Sequence, residues 1–329
     1  MDLPERFARH IAASGLLDGA RNVVVACSGG GDSTALLLLL DHCAKERGLL
    51  LVAVHIHHGL RGTPGEEDAL AVERLASELG VPFVLRPVDV PANRRKGESL
   101  EAAARRLRYA ALLSVAAEMG PGTLVATGHT LDDQAETVLL NLHRHAGRTR
   151  GGIRARREDG VVRPFLPFRR AALRALLAAR GFAFREDETN ENERLLRNRI
   201  RRRDLPALEA AFPGSATRLS RAGEAWSRRL SELDRRIDAA LAAADAPVEG
   251  PWPRKLFEAL GPEAAGRLLV RAAGARGAVP GRRQVARVTG RLLSCETRIV
   301  ESLAGLRISA DARAVRLALP PRPPARLAP

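Results

Sequence analysis

The stretch from Val23 to Leu37 constrains this chain most. A β-branched run, Val23-Val24-Val25-Ala26, ends at Cys27-Ser28-Gly29-Gly30-Gly31-Asp32-Ser33, and an apolar helical run follows at once. A strand that feeds a helix through a glycine turn builds a phosphate cradle. Glycines carry no Cβ, so successive backbone N–H groups can point inward, and the new helix adds the positive end of its dipole. No Lys-Ser/Thr pair follows the glycines, which excludes a Walker A loop. A plain turn capped by Ser28 or Asp32 accounts for the glycines alone equally well; the full string Ser-Gly-Gly-Gly-Asp-Ser is narrower.

The rest of the first 150 residues repeats the strand-then-helix pattern. A leading helix is expected over 4–18 and a first strand over 22–27, with its helix over 33–46. Further strands are read at 49–56, 81–88 and 123–128, and further helices at 66–79, 98–118 and 131–145. The run Leu49 to Ile56 is continuously apolar, as a strand covered on both faces requires. The expected fold is α/β, a parallel doubly wound sheet of Rossmann-like type with helices on both faces and the ligand at the carboxyl ends of the strands. Residues 147–160 alternate glycine and arginine without apolar periodicity and read as a mobile basic loop. Pro213-Gly214 marks a boundary, giving an expected nucleotide domain over 1–212 and a smaller, mostly helical domain over 215–329. That second part reads as a long helix over 215–243, a linker over 247–253, helices over 262–273 and 281–293, three short strands near 298–300, 306–308 and 315–317, and a disordered Pro-rich tail.

Charge points to a polyanionic partner. The 329 residues carry a formal net charge of +15. The excess is local: Arg144 to Arg174 holds ten arginines against Glu158 and Asp159, and Arg197, Arg199, Arg201, Arg202 and Arg203 form a second run. Aromatics make up only 3% of the chain, which argues against a base-stacking platform. No apolar run reaches the ~20 residues a membrane span needs, and the opening residues lack a leader pattern, so a cytoplasmic protein without membrane contact is expected. Cys27, Cys43 and Cys295 are too scattered for a disulfide framework or a zinc site.

Three further stretches carry chemistry. Gly128-His129-Thr130-Leu131-Asp132-Asp133-Gln134-Ala135-Glu136-Thr137 lies where the fourth strand meets its helix. Thr130 and Asp133 have the spacing of a helix cap, and acids in a first turn offset the dipole. Asp133 and Glu136 also share a helix face, where two hard oxygens beside a phosphate cradle suit Mg2+. His129 is a candidate for a phosphate or substrate oxygen. On the helix from Glu98 to Tyr109, Glu101, Arg105 and Arg108 share a face, either as ion pairs or as arginines aimed at a phosphate or carboxylate. Arg185 to Asn192, followed by Arg197-Asn198-Arg199-Ile200-Arg201, sets an acidic loop before a basic helix: acids for an ammonium, arginines for RNA, or a capped helix only.

The Ser28–Ser33 string resembles the SGGxDS signature of the PP-loop ATP pyrophosphatases. With Ala104-Arg105-Arg106-Leu107-Arg108-Tyr109, Gly128 to Thr137, Asp187-Glu188-Thr189-Asn190, Arg197 to Arg201 and Leu205-Pro206, in this order, the chain is similar to the tRNA(Ile)-lysidine synthetase family over about residues 22–212. It departs from that pattern at Arg144 to Gly152, where Arg-Gly-Ser/Thr-Gly is usual. The resemblance implies an ATP-dependent ligase that joins free lysine to the wobble cytidine of the CAU-anticodon isoleucine tRNA, releasing AMP and pyrophosphate. It implies that Ser28, Gly29, Gly30, Gly31, Asp32 and Ser33 cradle the phosphates with His129. It further implies Asp32, Asp133 and Arg199 as catalytic residues, Asp133 and Glu136 as holders of Mg2+, and Arg105, Arg108, Asp187 and Asn190 on the substrate side. ATP, Mg2+, free lysine and the tRNA are the expected ligands, and a homodimer is compatible with the reading. A tRNA-thiolating PP-loop enzyme and a non-catalytic RNA-binding protein are the alternatives.

Overall fold

A computed structural model describes residues 2–57, 63–143, 151–182, 184, 196–294 and 296–319. The chain divides into two compact units, Met1–Thr137 with Ile153–Arg221, and Val138–Gly152 with Ala222–Pro329.

The first unit is built on a five-stranded parallel sheet. Its strands are β1 (Asn22–Ala26), β2 (Leu50–His57), β3 (Phe83–Pro87), β4 (Thr123–Ala126) and β5 (Val161–Val162), in the order β3-β2-β1-β4-β5. In register, Val23 pairs with Leu51 on one side and with Leu124 on the other. Alternation along β1 decides what covers each face. Val23 and Val25 join a core with Phe7 and Ile11 of α1 (Leu3–Ser14), Leu36 and Leu40 of α2 (Gly31–Arg47), Val72 of α3 (Thr63–Leu79), and Leu173 and Leu177 of α6 (Arg170–Ala179). Val24 points to the other face and packs with Val54, Val125, Val161 and the helix α4 (Leu100–Glu118) through Tyr109, Leu112 and Val115. The sheet is therefore doubly wound, as its uninterrupted apolar strands require.

Because β1 runs outward to β2 and β3, and the chain then returns to β4 and β5, the order reverses between β1 and β4. Such a reversal leaves a crevice at the carboxyl ends of the two strands. The glycine loop follows β1, and Gly128-His129 follows β4 and leads into α5 (Leu131–His143).

Several elements differ from the sequence expectation. Residues 151–160 are held, not mobile: Arg157 N–H donates to the Val161 carbonyl (2.8 Å), Arg163 N–H donates to the Ala155 carbonyl (2.8 Å), and Gln134 Nε2 donates to the Ile153 carbonyl (3.0 Å). The basic helix is interrupted. α7 (Leu196–Arg199) passes through a π-type segment, Ile200–Asp204, into α8 (Leu205–Ala211). Pro206 has no N–H to continue the α-helical ladder, and the widened turn before it absorbs the mismatch. The helix α6 and the two-residue β5 were not anticipated.

The second unit packs α9 (Ser215–Ala243), α10 (Arg254–Ala275) and α11 (Arg282–Leu292) with an antiparallel sheet in the order β6-β9-β8-β7. The strands are β6 (Trp252–Pro253), β7 (Ile299–Leu303), β8 (Leu306–Ala310) and β9 (Ala314–Ala318). Trp252, Phe257, Leu268, Leu269, Ile308 and Val315 form its centre. Arg254 is buried yet satisfied, donating to the carbonyls of Asp311 (3.2 Å), Leu292 (3.4 Å) and Ser294 (2.9 Å). Among the described residues no helix is long and apolar enough to cross a membrane.

Leu112 is fully buried under the β1–β4 side of the sheet. Leu112→Ala is expected to cost about 2–5 kcal/mol, read as a lowered urea midpoint with an unchanged slope.

Candidate functional site

The glycine loop is fixed by its own hydroxyls and by close neighbours. Ser33 Oγ donates to the Gly30 carbonyl (2.9 Å) and accepts from the Ser28 N–H (3.1 Å), and Ser28 Oγ lies 3.2 Å from it. Gly29 sits at φ +85°, where a side chain is strained. A Cβ on Gly31 would come within 2.9 Å of the Phe184 ring, and one on Gly128 within 3.0 Å of the Asp32 carbonyl oxygen. Two glycines therefore let β4's end and an aromatic ring close on the start of α2. The Ser33 and Thr34 N–H groups both donate to the Gly30 carbonyl (3.1 Å each), and the N–H groups of Gly31 and Asp32 ahead of them are the ones a helix start offers to an anion. His55 Nδ1 lies 2.9 Å from the Cys27 carbonyl and steadies the strand end.

The first turn of α5 meets this loop through arginine. Asp133 Oδ2 accepts from the Thr130 N–H (2.9 Å) and the Thr130 hydroxyl (2.8 Å), which is the helix cap expected from spacing. Its other oxygen faces three guanidiniums, those of Arg170 (3.0 Å), Arg201 (3.1 Å) and Arg197 (3.3 Å). Glu136 has no exposed surface. Arg201 grips it with both Nε (2.7 Å) and Nη2 (2.9 Å), Arg197 Nε lies at 3.2 Å, and Arg170 Nη1 at 3.3 Å. Arg170 Nε also donates to Asp32 Oδ2 (3.0 Å). One guanidinium thus joins Asp32, Asp133 and Glu136. Burial pushes the Asp133 carboxyl up, but Arg170, His129, Arg197 and the Thr130 N–H outweigh it and hold the group well below the usual carboxylate range. At Asp32 burial wins, and the carboxyl is raised despite Arg170.

His129 Nδ1 lies 2.9 Å from the Thr127 hydroxyl. Burial pushes its imidazole down to about 3, against the Asp133 charge, which raises it. The ring is neutral at physiological pH, so it meets a ligand as a hydrogen-bonding group and not as a cation.

The predicted residues do not all converge. Ser28 to Ser33, His129, Asp133 and Glu136 flank the switch point. Arg199, expected there, instead has its Nε 3.6 Å from Asp204, while Arg197 and Arg201, one helical turn apart, take the carboxylates. Arg105 and Arg108 lie beside the Tyr109 ring, 5.1 and 5.6 Å from its centroid. Asp187 and Asn190 lie outside the described residues, as do Arg144 to Arg150. Arg163 and Arg170 were not singled out by sequence. The available signal was the spacing of Leu173, Leu176 and Leu177, which marks a helix beginning at Arg170.

The Mg2+ expectation at Asp133 and Glu136 does not fit this arrangement. Both oxygens of Glu136 and both of Asp133 are engaged by guanidiniums or by the Thr130 cap. Among the described residues no group of three or more His, Cys, Asp or Glu side chains is arranged for a metal ion. Asp32 is different: its Oδ1 is buried without a hydrogen-bond partner and suits a hard cation.

A family model described as a PP-loop domain matches residues 3–208. Among curated relatives, a tRNA(Ile)-lysidine synthase of Thermus thermophilus is 46% identical over 220 residues, covering 67% of this chain and 42% of the relative. One from Geobacter sulfurreducens is 42% identical over 235 residues, covering 70% of this chain and 49% of the relative. This chain thus spans less than half of each of these two relatives. Among solved structures, a U34-tRNA thiolase from Methanococcus maripaludis aligns with a TM-score of 0.56 at 18% identity, covering 69% of this chain and 78% of that one, a likeness of fold alone.

Two outcomes are expected. Glu136→Gln removes a buried carboxylate and leaves three part-buried guanidiniums short of a counter-charge, and should cost about 3 kcal/mol in urea unfolding. His129 is neutral when folded but protonates near 6.5 when unfolded, so wild-type stability should fall as pH drops from 7 to 5; His129→Gln should lose less over that range. Imidazole NMR showing protonation near 6.5 in the folded protein would contradict this.

Proposed function

Because the chain belongs to the PP-loop domain family, we propose that it is the ATP-using part of a tRNA(Ile)-lysidine synthase. The wobble cytosine of a CAU-anticodon tRNA attacks the α-phosphorus of ATP through its C2 oxygen, and pyrophosphate leaves. The side-chain amine of free lysine then attacks C2, AMP departs, and the amine gives up its proton, which leaves lysidine. What supports the reading above all is the Ser28–Ser33 loop, open at the switch point with Asp32 Oδ1 unpartnered, in a chain 46% identical to a lysidine synthase over 220 residues.

Each step needs charge held in place. The loop N–H groups and the α2 dipole take the phosphates, and neutral His129 hydrogen-bonds an oxygen at the opposite lip of the crevice. Asp32 would hold Mg2+ through Oδ1, and that ion would supply charge neutralisation on the phosphates. Asp133 and Glu136 anchor Arg170, Arg197 and Arg201 beside the loop. Arg105 and Arg108 stand on the substrate side, with Asp187 and Asn190 proposed for the lysine ammonium and Arg199 for RNA. The two cysteines among the described residues are not ready nucleophiles for sulfur transfer: burial pushes Cys27 up to about 12 and Cys43 up to about 11.

With ATP, lysine and tRNA transcripts, pyrophosphate release by the purified chain should depend on the CAU-anticodon tRNA, and Asp32→Asn should lower it by 10²-fold or more, by the order of magnitude of losing one electrostatic group. Release that is indifferent to the tRNA overturns the assignment; tRNA binding without ATP turnover leaves an RNA-binding protein.

A further inference from the structure

We propose that Arg105, Arg108 and Arg163, gathered around Tyr109, form a binding site for a phosphate group. The site deepens the reading above and rests on it for the source of the phosphate. The guanidinium carbons of Arg105, Arg108 and Arg157 lie 5.1, 5.6 and 4.9 Å from the centroid of the Tyr109 ring. Arg163, only 3% exposed, enters from the end of β5. Its Nη1 donates to the Arg154 carbonyl (2.6 Å) and its Nη2 to the Tyr109 hydroxyl (3.4 Å), but its buried Nε has no partner.

What sets these arginines apart is the absence of acid. Arg170, Arg197 and Arg201 are each matched to carboxylates, and Arg157 pairs with Asp159. Among the described residues no ion pair joins Arg105, Arg108 or Arg163 to a carboxylate. Burial pushes the Arg108 and Arg163 guanidiniums down, and each is pushed further by neighbouring arginines. The tyrosine ring face offsets part of that repulsion. An oxyanion removes the rest. A phosphate carries more oxygens and more charge than a carboxylate and presents them tetrahedrally, so it can take N–H groups from guanidiniums that arrive from three directions. The cluster also adjoins the crevice: Arg163, Arg105 and Arg108 all act on the charge of His129, at the end of β4.

Tyr109 is the only tyrosine in the chain, so its ring reports on this site alone. Four guanidiniums face it, those of Arg105, Arg108, Arg157 and Arg163, with neutral His129 nearby and Asp159 reaching it only through Arg157. Burial pushes the phenol up, but Arg105, Arg163 and Arg108 pull it below its usual range. An anion among them cancels that pull. In the full chain labelled with 13C at the tyrosine ring Cζ, inorganic pyrophosphate at constant ionic strength should raise the midpoint of the pH titration by roughly one unit. Exposed Arg105→Gln should raise the midpoint without ligand and weaken the pyrophosphate response several-fold. A tRNA transcript added near neutral pH moves the same resonance if the phosphates are those of the RNA backbone. A response to pyrophosphate assigns the site to the released product; a response to RNA alone assigns it to the backbone. No response to either, or a response to free lysine alone, overturns the proposal. Lysidine formation is assayed on the same preparation: its failure beside an intact pyrophosphate response overturns the functional reading and leaves the site.

Discussion

The guanidinium of Arg170 holds this site together. Its three nitrogens reach Asp32 on α2 and Asp133 and Glu136 on α5, at 3.0, 3.0 and 3.3 Å. This contact ties the helix that leaves the glycine loop to the helix across the crevice. The acids lie close, and Glu136 is fully enclosed, so without cations they could not stay ionised. Arg197 and Arg201 complete the compensation. Opposing burial and pairing then split the acids: Asp133 is strongly acidic and Asp32 is raised, though one guanidinium touches both. The difference follows from pairing, since Asp133 has partners on both oxygens and Asp32 has one bare oxygen.

Much of the scaffold was legible because it depends on local pattern. Apolar runs bounded by glycine gave the first four strands, and the string from Ser28 to Ser33 marked the turn that a helix must leave without side chains. Thr130 and Asp133 were legible as a cap because capping is set by a spacing of three. What the sequence could not give was the partner on the far oxygen. Asp133 and Glu136 on one helix face look the same whether they await a metal or an arginine. The arginines that reach them come from positions 170, 197 and 201, which only the tertiary fold brings together. The same limit hid Arg163, whose interest lies in what does not surround it. Arg197 and Arg201, four residues apart, share the helix face that meets the carboxylates, and Arg199 between them lies off that face beside Asp204.

The basic charge of the chain does two jobs that composition cannot separate. Around Asp133 and Glu136 arginines are spent on acids, and the group is near neutral. Around Tyr109, Arg105, Arg108 and Arg163 have no carboxylate partner among the described residues, and a positive field is left beside His129. A phosphate approaching the crevice therefore meets little repulsion from the buried acids and a net attraction from the other lip.

That division also explains why a neutral histidine belongs between the two groups. A protonated His129 would add a charge to a cluster already short of anions, and Arg163, Arg105 and Arg108 each disfavour it. Burial removes the charge and keeps the ring as a directional hydrogen-bonding group tethered at Thr127. Orientation at this point then comes from hydrogen bonds, while attraction comes from arginines that need no proton to stay charged near pH 7. The crevice can in this way hold its polarity over the range where histidine alone would switch.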